Sequence, residues 1–334
     1  MASVDVIVPC YRYGHYLRDC VQSVLDQQGV EVRVLIIDDA SPDDTPAVAA
    51  ELAERDGRVE YRRHVANQGH IATYNEGLDW IASDYALLLS ADDMLTRGAL
   101  GRAAMLMDAH PEVGLVYGRA FRTPCPPFVG WQPPENYTWR TIPGQELIET
   151  MCVQGDNLVP TPTAIVRTRL QRAVGGYRKD LPHTADMEMW LRLAAHGAVG
   201  ILDIEQAYYR IHGANMSTAY VGLRDMQSRY AAIGSILQQY DNRIADVAGL
   251  KALAERAIAE QVFWIGSNSF DRGDWRGCAE CLKYARGLYP ALRWQPKWYR
   301  FRCKQLLGPK LWSAVRPVIH RIRAKGGPNP TGVA

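Results

Sequence analysis

No stretch of this sequence approaches the roughly 18 uninterrupted apolar residues that a membrane span needs, so it contains no expected transmembrane helix. A secretory leader is missing as well: Met1 to Asp5 run straight into Val6, Ile7 and Val8, with no basic segment and no long apolar core. Seven cysteines, an odd number without framework spacing, argue against a disulfide scaffold and for a reducing compartment. These absences together favour a cytoplasmic protein, at most peripheral at the inner face of the membrane. Cys278 and Cys281 form one CxxC with no second pair, which on a helical stretch reads as two core neighbours rather than a metal or redox centre. Acid is missing from one region in particular. Of the 38 Lys and Arg, twelve lie from residue 281 onward, where there is no Asp or Glu, so residues 1 to 280 hold 26 basic against 36 acidic groups beneath a net charge of +2.

What is present is a globular composition, 47% apolar over 334 residues, long enough for one large α/β domain with an appendage or for two medium domains. Residues 3 to 9 read as a strand and 15 to 27 as an amphipathic helix with Leu17, Val21, Val24 and Leu25 on one face. The same grammar repeats through strands 32 to 37, 58 to 62, 85 to 90 and 113 to 117, separated by helices 45 to 55, 70 to 82 and 97 to 109. Alternation of this kind predicts βαβ units and a mostly parallel sheet. Residues 120 to 160, rich in proline with Trp131 and Trp139, read as an acceptor-side loop over the site, with plain surface connection as the alternative, and a helix at its end. A strand near 162 to 167, a short helix before Gly175, a helix from 184 to 196 and an extended run from 199 to 211 follow. Beyond about 220 the periodicity is helical throughout.

In α/β sheets ligands collect beyond the carboxyl ends of the strands. The residues at those ends form a coherent set: Pro9 to Arg12, then Asp38 to Ser41, then Asn67 to Gly69, then Ser90 to Asp93. A nucleotide with a metal-bound diphosphate would use an aromatic ring, an amide beside a glycine and two acid pairs together. No GxGxxG follows any strand, so a dinucleotide site is disfavoured. In LLLSADDML, adjacent Asp92 and Asp93 repel unless a cation lies between them, although either also suits the cap of the helix that follows; taken alone, the stretch leaves both readings open.

VIVPCYRYGHYLRDCVQSVLDQQ, LIIDDASPDDT, NQGHIATYNEGL, LLLSADDML, VGGYRKDLPHTADMEMWLRLAAHG and YRIHGANMS, in this order over residues 3 to about 220, resemble the successive blocks of the inverting family 2 glycosyltransferases. The resemblance implies a GT-A fold, a Rossmann-like, mostly parallel sheet flanked by helices, here with a helical extension. It implies that Pro9, Tyr11, Asp38, Asp39, Asn67, Gly69 and Asp92 hold the nucleotide of a nucleotide-diphosphate sugar. Asp92 and Asp93 match the DxD region and would bind Mg²⁺ or Mn²⁺, with Asp93 touching the metal and Asp92 touching ribose or metal; Ser90 stands where many members have an acid. His212 would complete the metal or diphosphate site. Asp186 matches the general base that takes the proton of an acceptor hydroxyl as it attacks the anomeric carbon with inversion. Ala185 stands where another acid is common. Glu188, two residues along the helix, points elsewhere, and Trp190 and Arg192 pack and position it.

The resulting expectation is residues 1 to 220 as the GT-A domain, 221 to 325 as a helical region with a basic, aromatic tail, and 326 to 334 disordered. The function expected is metal-dependent transfer of a sugar to a glycan or lipid-linked acceptor, in polysaccharide or glycoconjugate synthesis. Cations interleaved with Trp294, Trp298, Tyr299, Phe301 and Trp312 suit an anionic membrane surface; a solvated helical face is the plainer alternative, and no nucleic-acid partner is expected. A sugar nucleotidyltransferase would need a glycine-rich phosphate loop where this chain has CYRYGHY. The other rival is a catalytically silent module that only holds a nucleotide sugar or glycan on the same fold.

Overall fold

A computed structural model of the chain describes residues 1–124, 132–134, 136–216 and 220–324. The described residues fall into two compact units, one of 1–221 with 227–254 and the other of 222–226 with 255–324. The tail expected to be disordered, 326 to 334, and part of the expected acceptor-side loop, 125 to 131 and 135, lie outside them.

The first unit opens with β1 (Ser3–Cys10), α1 (Gly14–Leu25), β2 (Glu31–Asp38), α2 (Thr45–Arg55), β3 (Val59–Arg63), α3 (His70–Trp80) and β4 (Tyr85–Leu88). It continues through β5 (Met94–Leu95), α4 (Ala99–Ala109), β6 (Val113–Thr123), β7 (Trp139–Ile142), α5 (Gly144–Gln154), β8 (Ile165–Arg167), α6 (Thr168–Val174), α7 (Ala185–Ala194) and β9 (Ala198–Arg210). The strand order is β3-β2-β1-β4-β8-β6-β9-β5, with β7 on β9. The pairs β1–β2, β2–β3, β1–β4 and β6–β9 are parallel, whereas β8 runs antiparallel between β4 and β6, and β5 and β7 pair antiparallel with β9. The expected sheet, mostly parallel and flanked by helices, is present with antiparallel strands in it. Its parallel part is the βαβ portion, and the antiparallel pairs are made by β5, β7 and β8 with strands distant in sequence.

Central strands are covered on both faces and so read as continuous apolar runs. Val4, Val6 and Val8 of β1 pack with Leu17, Val21 and Val24 of α1 and Leu100 of α4, while Ile7 points to the other face with Leu35, Ile37 and Ile81. A Cβ at Gly77 would stand 2.3 Å from Ile7 Cγ2, so this glycine sets how closely α3 lies on the sheet. Beyond β4, residues of α5 and α7 form a second core with Leu115 and Val166.

Then come α8 (Leu223–Gln239), α9 (Val247–Asp271), α10 (Trp275–Leu288) and α11 (Pro296–Ala324), broken at Gly308 (φ 74°). Ile233, Ile236, Leu237, Ile244 and Leu250 pack into that second core, so the first unit keeps chain beyond residue 220. In the other unit Cys278 and Cys281 are buried, as core neighbours on one helix face would be. No helix among the described residues is long and apolar enough to cross a membrane.

Candidate active site

The chain builds β1, steps outward to β2 and β3, then returns to β4 on the other side of β1. This reversal leaves a crevice at the carboxyl ends of β1 and β4. A cleft of about 550 Å³ lies there, lined by Pro9, Tyr11, Tyr13, Asp39, Asn67, Gly69, Tyr74, Ser90, Asp92, Asp93 and Asn215 among others. All four strand-end segments singled out in the sequence contribute to it.

Two non-glycine residues in the left-handed region shape its rim, Arg12 (φ 64°) and Ala40 (φ 59°). The loops carrying them are tied together, because Arg12 N–H donates to Ser41 Oγ at 3.0 Å and Ser41 N–H donates to Asp38 Oδ1 at 2.8 Å. Asp38 is fully buried, contacts Arg63 at 3.2 Å and does not line the cleft, so its carboxylate builds the loop. Asp39 does line it. Asp39 Oδ1 accepts Gln68 N–H at 2.7 Å and Oδ2 accepts Gly69 N–H at 2.9 Å, which fixes the segment Asn67 to Gly69 as the opposite wall. Gly69 takes φ 83° there, a conformation that glycine adopts without strain.

His64 was not legible as a site residue. It bridges Asp39 Oδ1 and Glu76 Oε2 at 2.7 Å each, from its two ring nitrogens. Ionised carboxylates only accept, so both contacts are satisfied together when both nitrogens carry protons. Burial works against that charge, but the two carboxylates outweigh it and the imidazole is raised above its ordinary value.

Asp92 and Asp93 sit at the floor of the cleft, 7% and 4% exposed. Burial raises both, and the neighbouring Asp92 raises Asp93 further. Arg210, missed in the sequence, answers part of this charge from behind: its backbone N–H donates to Asp93 Oδ1 at 2.9 Å and its Nε to the Asp92 carbonyl at 2.9 Å. The guanidinium also stands 4.3 Å from the centre of the Tyr16 ring. His212 Nε2 lies 3.0 Å from Asp92 Oδ2. No group of three or more His, Cys, Asp or Glu among the described residues forms a metal cage by itself. The donor set still fits Mg²⁺ or Mn²⁺: two desolvated carboxylates side by side are hard oxygen ligands, and such ions are completed by substrate phosphates and water.

Asp186 is at the start of α7. Its Oδ2 accepts Asn157 Nδ2 and Thr161 Oγ1, both at 3.0 Å, and its Oδ1 accepts Met187 N–H at 2.7 Å. Burial raises it against those donors. Tyr74 relates it to the cleft: burial raises the phenol, and the charges of Asp186, Asp92 and Asp93 raise it further. Tyr74 lines the cleft beside Asp92 and Asp93, whereas Asp186 is not among the residues that line it. Glu188 points away, fully buried and 2.6 Å from Arg192, whose guanidinium donates to the carbonyls of Val174 at 2.7 Å and Gly176 at 2.8 Å. This pair therefore anchors the bend at Gly175 and Gly176, and Trp190 is core.

Residues 5–168 match the family model for glycosyl transferase family 2. The match ends before Asp186 and His212. An uncharacterized protein of Mycobacterium tuberculosis is 28% identical over 233 residues, 66% of this chain and 71% of that one. Among solved structures, residues 1–349 of S. aureus TarS in complex with UDP-GlcNAc align with a TM-score of 0.59 at 16% identity, covering 87% of this chain and 92% of that one. A mannosyltransferase of Pyrobaculum calidifontis, in complex with GDP-Man and Mn²⁺, aligns with a TM-score of 0.50 at 14% identity, covering 86% and 87%.

Proposed function

The chain carries, over residues 5–168, a domain of glycosyl transferase family 2, and from that premise we propose that it transfers a sugar from a nucleoside-diphosphate donor to an acceptor hydroxyl with inversion, in polysaccharide or glycoconjugate synthesis. The observation that carries this reading is one cleft at the β1–β4 reversal that holds Asp39, the Asn67–Gly69 wall, Tyr74 and the Asp92–Asp93 pair. Pro9 and Tyr11 would face the base, and Asp39 with Asn67 and Gly69 the base and ribose. Asp38 would act through the loop it holds.

Asp92 and Asp93 would hold Mg²⁺ or Mn²⁺ together with the donor diphosphate, and His212 and Arg210 would orient them. The bound metal would neutralise the charge of the departing nucleotide. Asp186, fixed by Thr161, Asn157 and its own helix start, would take the acceptor proton as the hydroxyl oxygen attacks the anomeric carbon from the face opposite the diphosphate. Its raised affinity for protons makes it a stronger base than an exposed carboxylate, as long as it stays ionised. The S. aureus and Pyrobaculum structures hold UDP-GlcNAc and GDP-Man, and the same class of donor is proposed here. A glycan or lipid-linked acceptor is proposed with it, and the basic C-terminal helix would keep the enzyme against an anionic membrane.

Nucleotide release from a panel of UDP-, GDP- and dTDP-sugars, with Mn²⁺ and then with EDTA, tests the reading. Metal-dependent release from one donor supports it. Donor binding with no turnover across a broad acceptor panel, unchanged in Asp186→Asn, would replace it with a binding module.

A further inference from the structure

The cleft lining holds none of the C-terminal cations, and in the second compact unit two of them, Arg300 and Arg302, are exposed beside apolar residues. In the first half of α11, Phe301 is buried, with its ring centre 5.6 Å from those of Phe263 and Phe270. Lys304 turns to the same side and donates to Ser267 O at 2.9 Å and Asp271 Oδ2 at 2.7 Å. At 3.6 residues per turn the opposite face carries Tyr299, Cys303 and Leu306. Tyr299 is 51% exposed and Leu306 87%, and exposed Arg300 and Arg302 flank them on either side. Trp294, just before the helix, is 66% exposed, and Leu311, past the break at Gly308, is 61% exposed.

We propose that the face of α11 carrying Tyr299 and Leu306, with exposed Trp294 before it and Leu311 after the break, docks into the headgroup region of an anionic lipid bilayer, with Arg300 and Arg302 contacting the lipid phosphates. This deepens the membrane contact proposed above. Complementary charge selects the occupant, since twelve Lys and Arg and no Asp or Glu lie from residue 281 onward. A second copy of the same face would set these cations against each other. Nucleic acid would answer the cations but leave Leu306 and Leu311 in water, whereas a bilayer offers phosphate to the arginines and hydrocarbon to the leucines. Interfacial helices combine an apolar stripe with flanking Lys and Arg for this reason.

Flotation of the full chain tests the proposal, with vesicles of phosphatidylcholine alone and of phosphatidylcholine and phosphatidylglycerol in equal parts, alongside binding to poly(U) RNA and sedimentation for self-association. The expected result is flotation only with the phosphatidylglycerol vesicles. Arg300→Gln should weaken it about fivefold, and Arg302→Gln should do the same. Leu306→Glu with Leu311→Glu should abolish it. Vesicle binding unchanged by the leucine pair, binding to poly(U) but not to vesicles, or a dimer dissolved by the leucine pair would each overturn it. Release of nucleotide from the donor in the absence of vesicles checks that the variants are folded, and it separates loss of docking from failure of the transferase reading.

Discussion

His212 Nε2 lies 3.0 Å from Asp92 Oδ2, while the N–H of Ala214 donates to His212 Nδ1 at 3.2 Å. A ring nitrogen that accepts leaves the other to carry the proton, so in this arrangement His212 donates to Asp92. The histidine thus orients a carboxylate, and becoming a metal ligand itself would require it to give up that proton. His212→Ala is expected to raise the Mn²⁺ concentration needed for half-maximal turnover about 10- to 100-fold, the usual cost of losing such a partner. A Mn²⁺ titration of nucleotide release checks this.

Asp186→Asn keeps the shape of the site but removes the base and puts an amide NH₂, which cannot accept, in place of one of the two accepting oxygens. It should lower kcat by about 10²- to 10⁴-fold with little change in the KM for donor. Because burial raises Asp186, activity of the wild type should rise with pH through a limb above the usual carboxylate range and then level. A pH profile of kcat in Mn²⁺ measures the limb, which should vanish from the residual activity of the variant.

His64 couples the site to stability. Its folded value is raised above the ordinary 6.5 by Asp39 and Glu76 in spite of burial. Its contribution is therefore fully present below about pH 6.5 and is lost as pH rises through the folded value. Thermal melts of the wild type and His64→Gln should differ most at the acid end of that window and converge above it.

The Glu188–Arg192 pair is a buried ion pair in which Glu188 Oε1 and Arg192 Nε have no hydrogen-bond partner. Arg192→Met strands the carboxylate and should cost about 3–5 kcal/mol in urea unfolding, because an uncompensated buried charge is expensive. Arg192→Met with Glu188→Leu should recover much of that loss.

The βαβ half of the sheet was legible because its strands are apolar runs bounded by turn residues, as in VRVLII before Asp38. β5 was not, since two residues have no period, and β7 reads WRTI, with a mostly exposed pattern, after a proline-rich stretch. Antiparallel insertion of β8 between β4 and β6 depends on long-range pairing that local periodicity does not encode. Residues at strand ends were found because topology brings them together. The hydrogen bonds of His64, Arg210, Asn157 and Thr161 to Glu76, Asp92 and Asp186 span 12 to 118 residues, so no local spacing marks them. The resemblance matched Asp39 to the acid on base or ribose with Asp38 as its neighbour, and in the fold Asp38 holds the loop while Asp39 lines the cleft.

The most direct measurement is calorimetric titration of the nucleoside diphosphates UDP, GDP and dTDP into the wild type and into Asp93→Asn, each with Mn²⁺ and with EDTA. The cleft described here requires one nucleotide to bind with Mn²⁺, to weaken sharply in EDTA, and to lose its metal dependence in Asp93→Asn. Equal binding in all four conditions, or no binding of any nucleotide to the wild type, would contradict the assignment of this cleft as a metal-assisted nucleotide-sugar site.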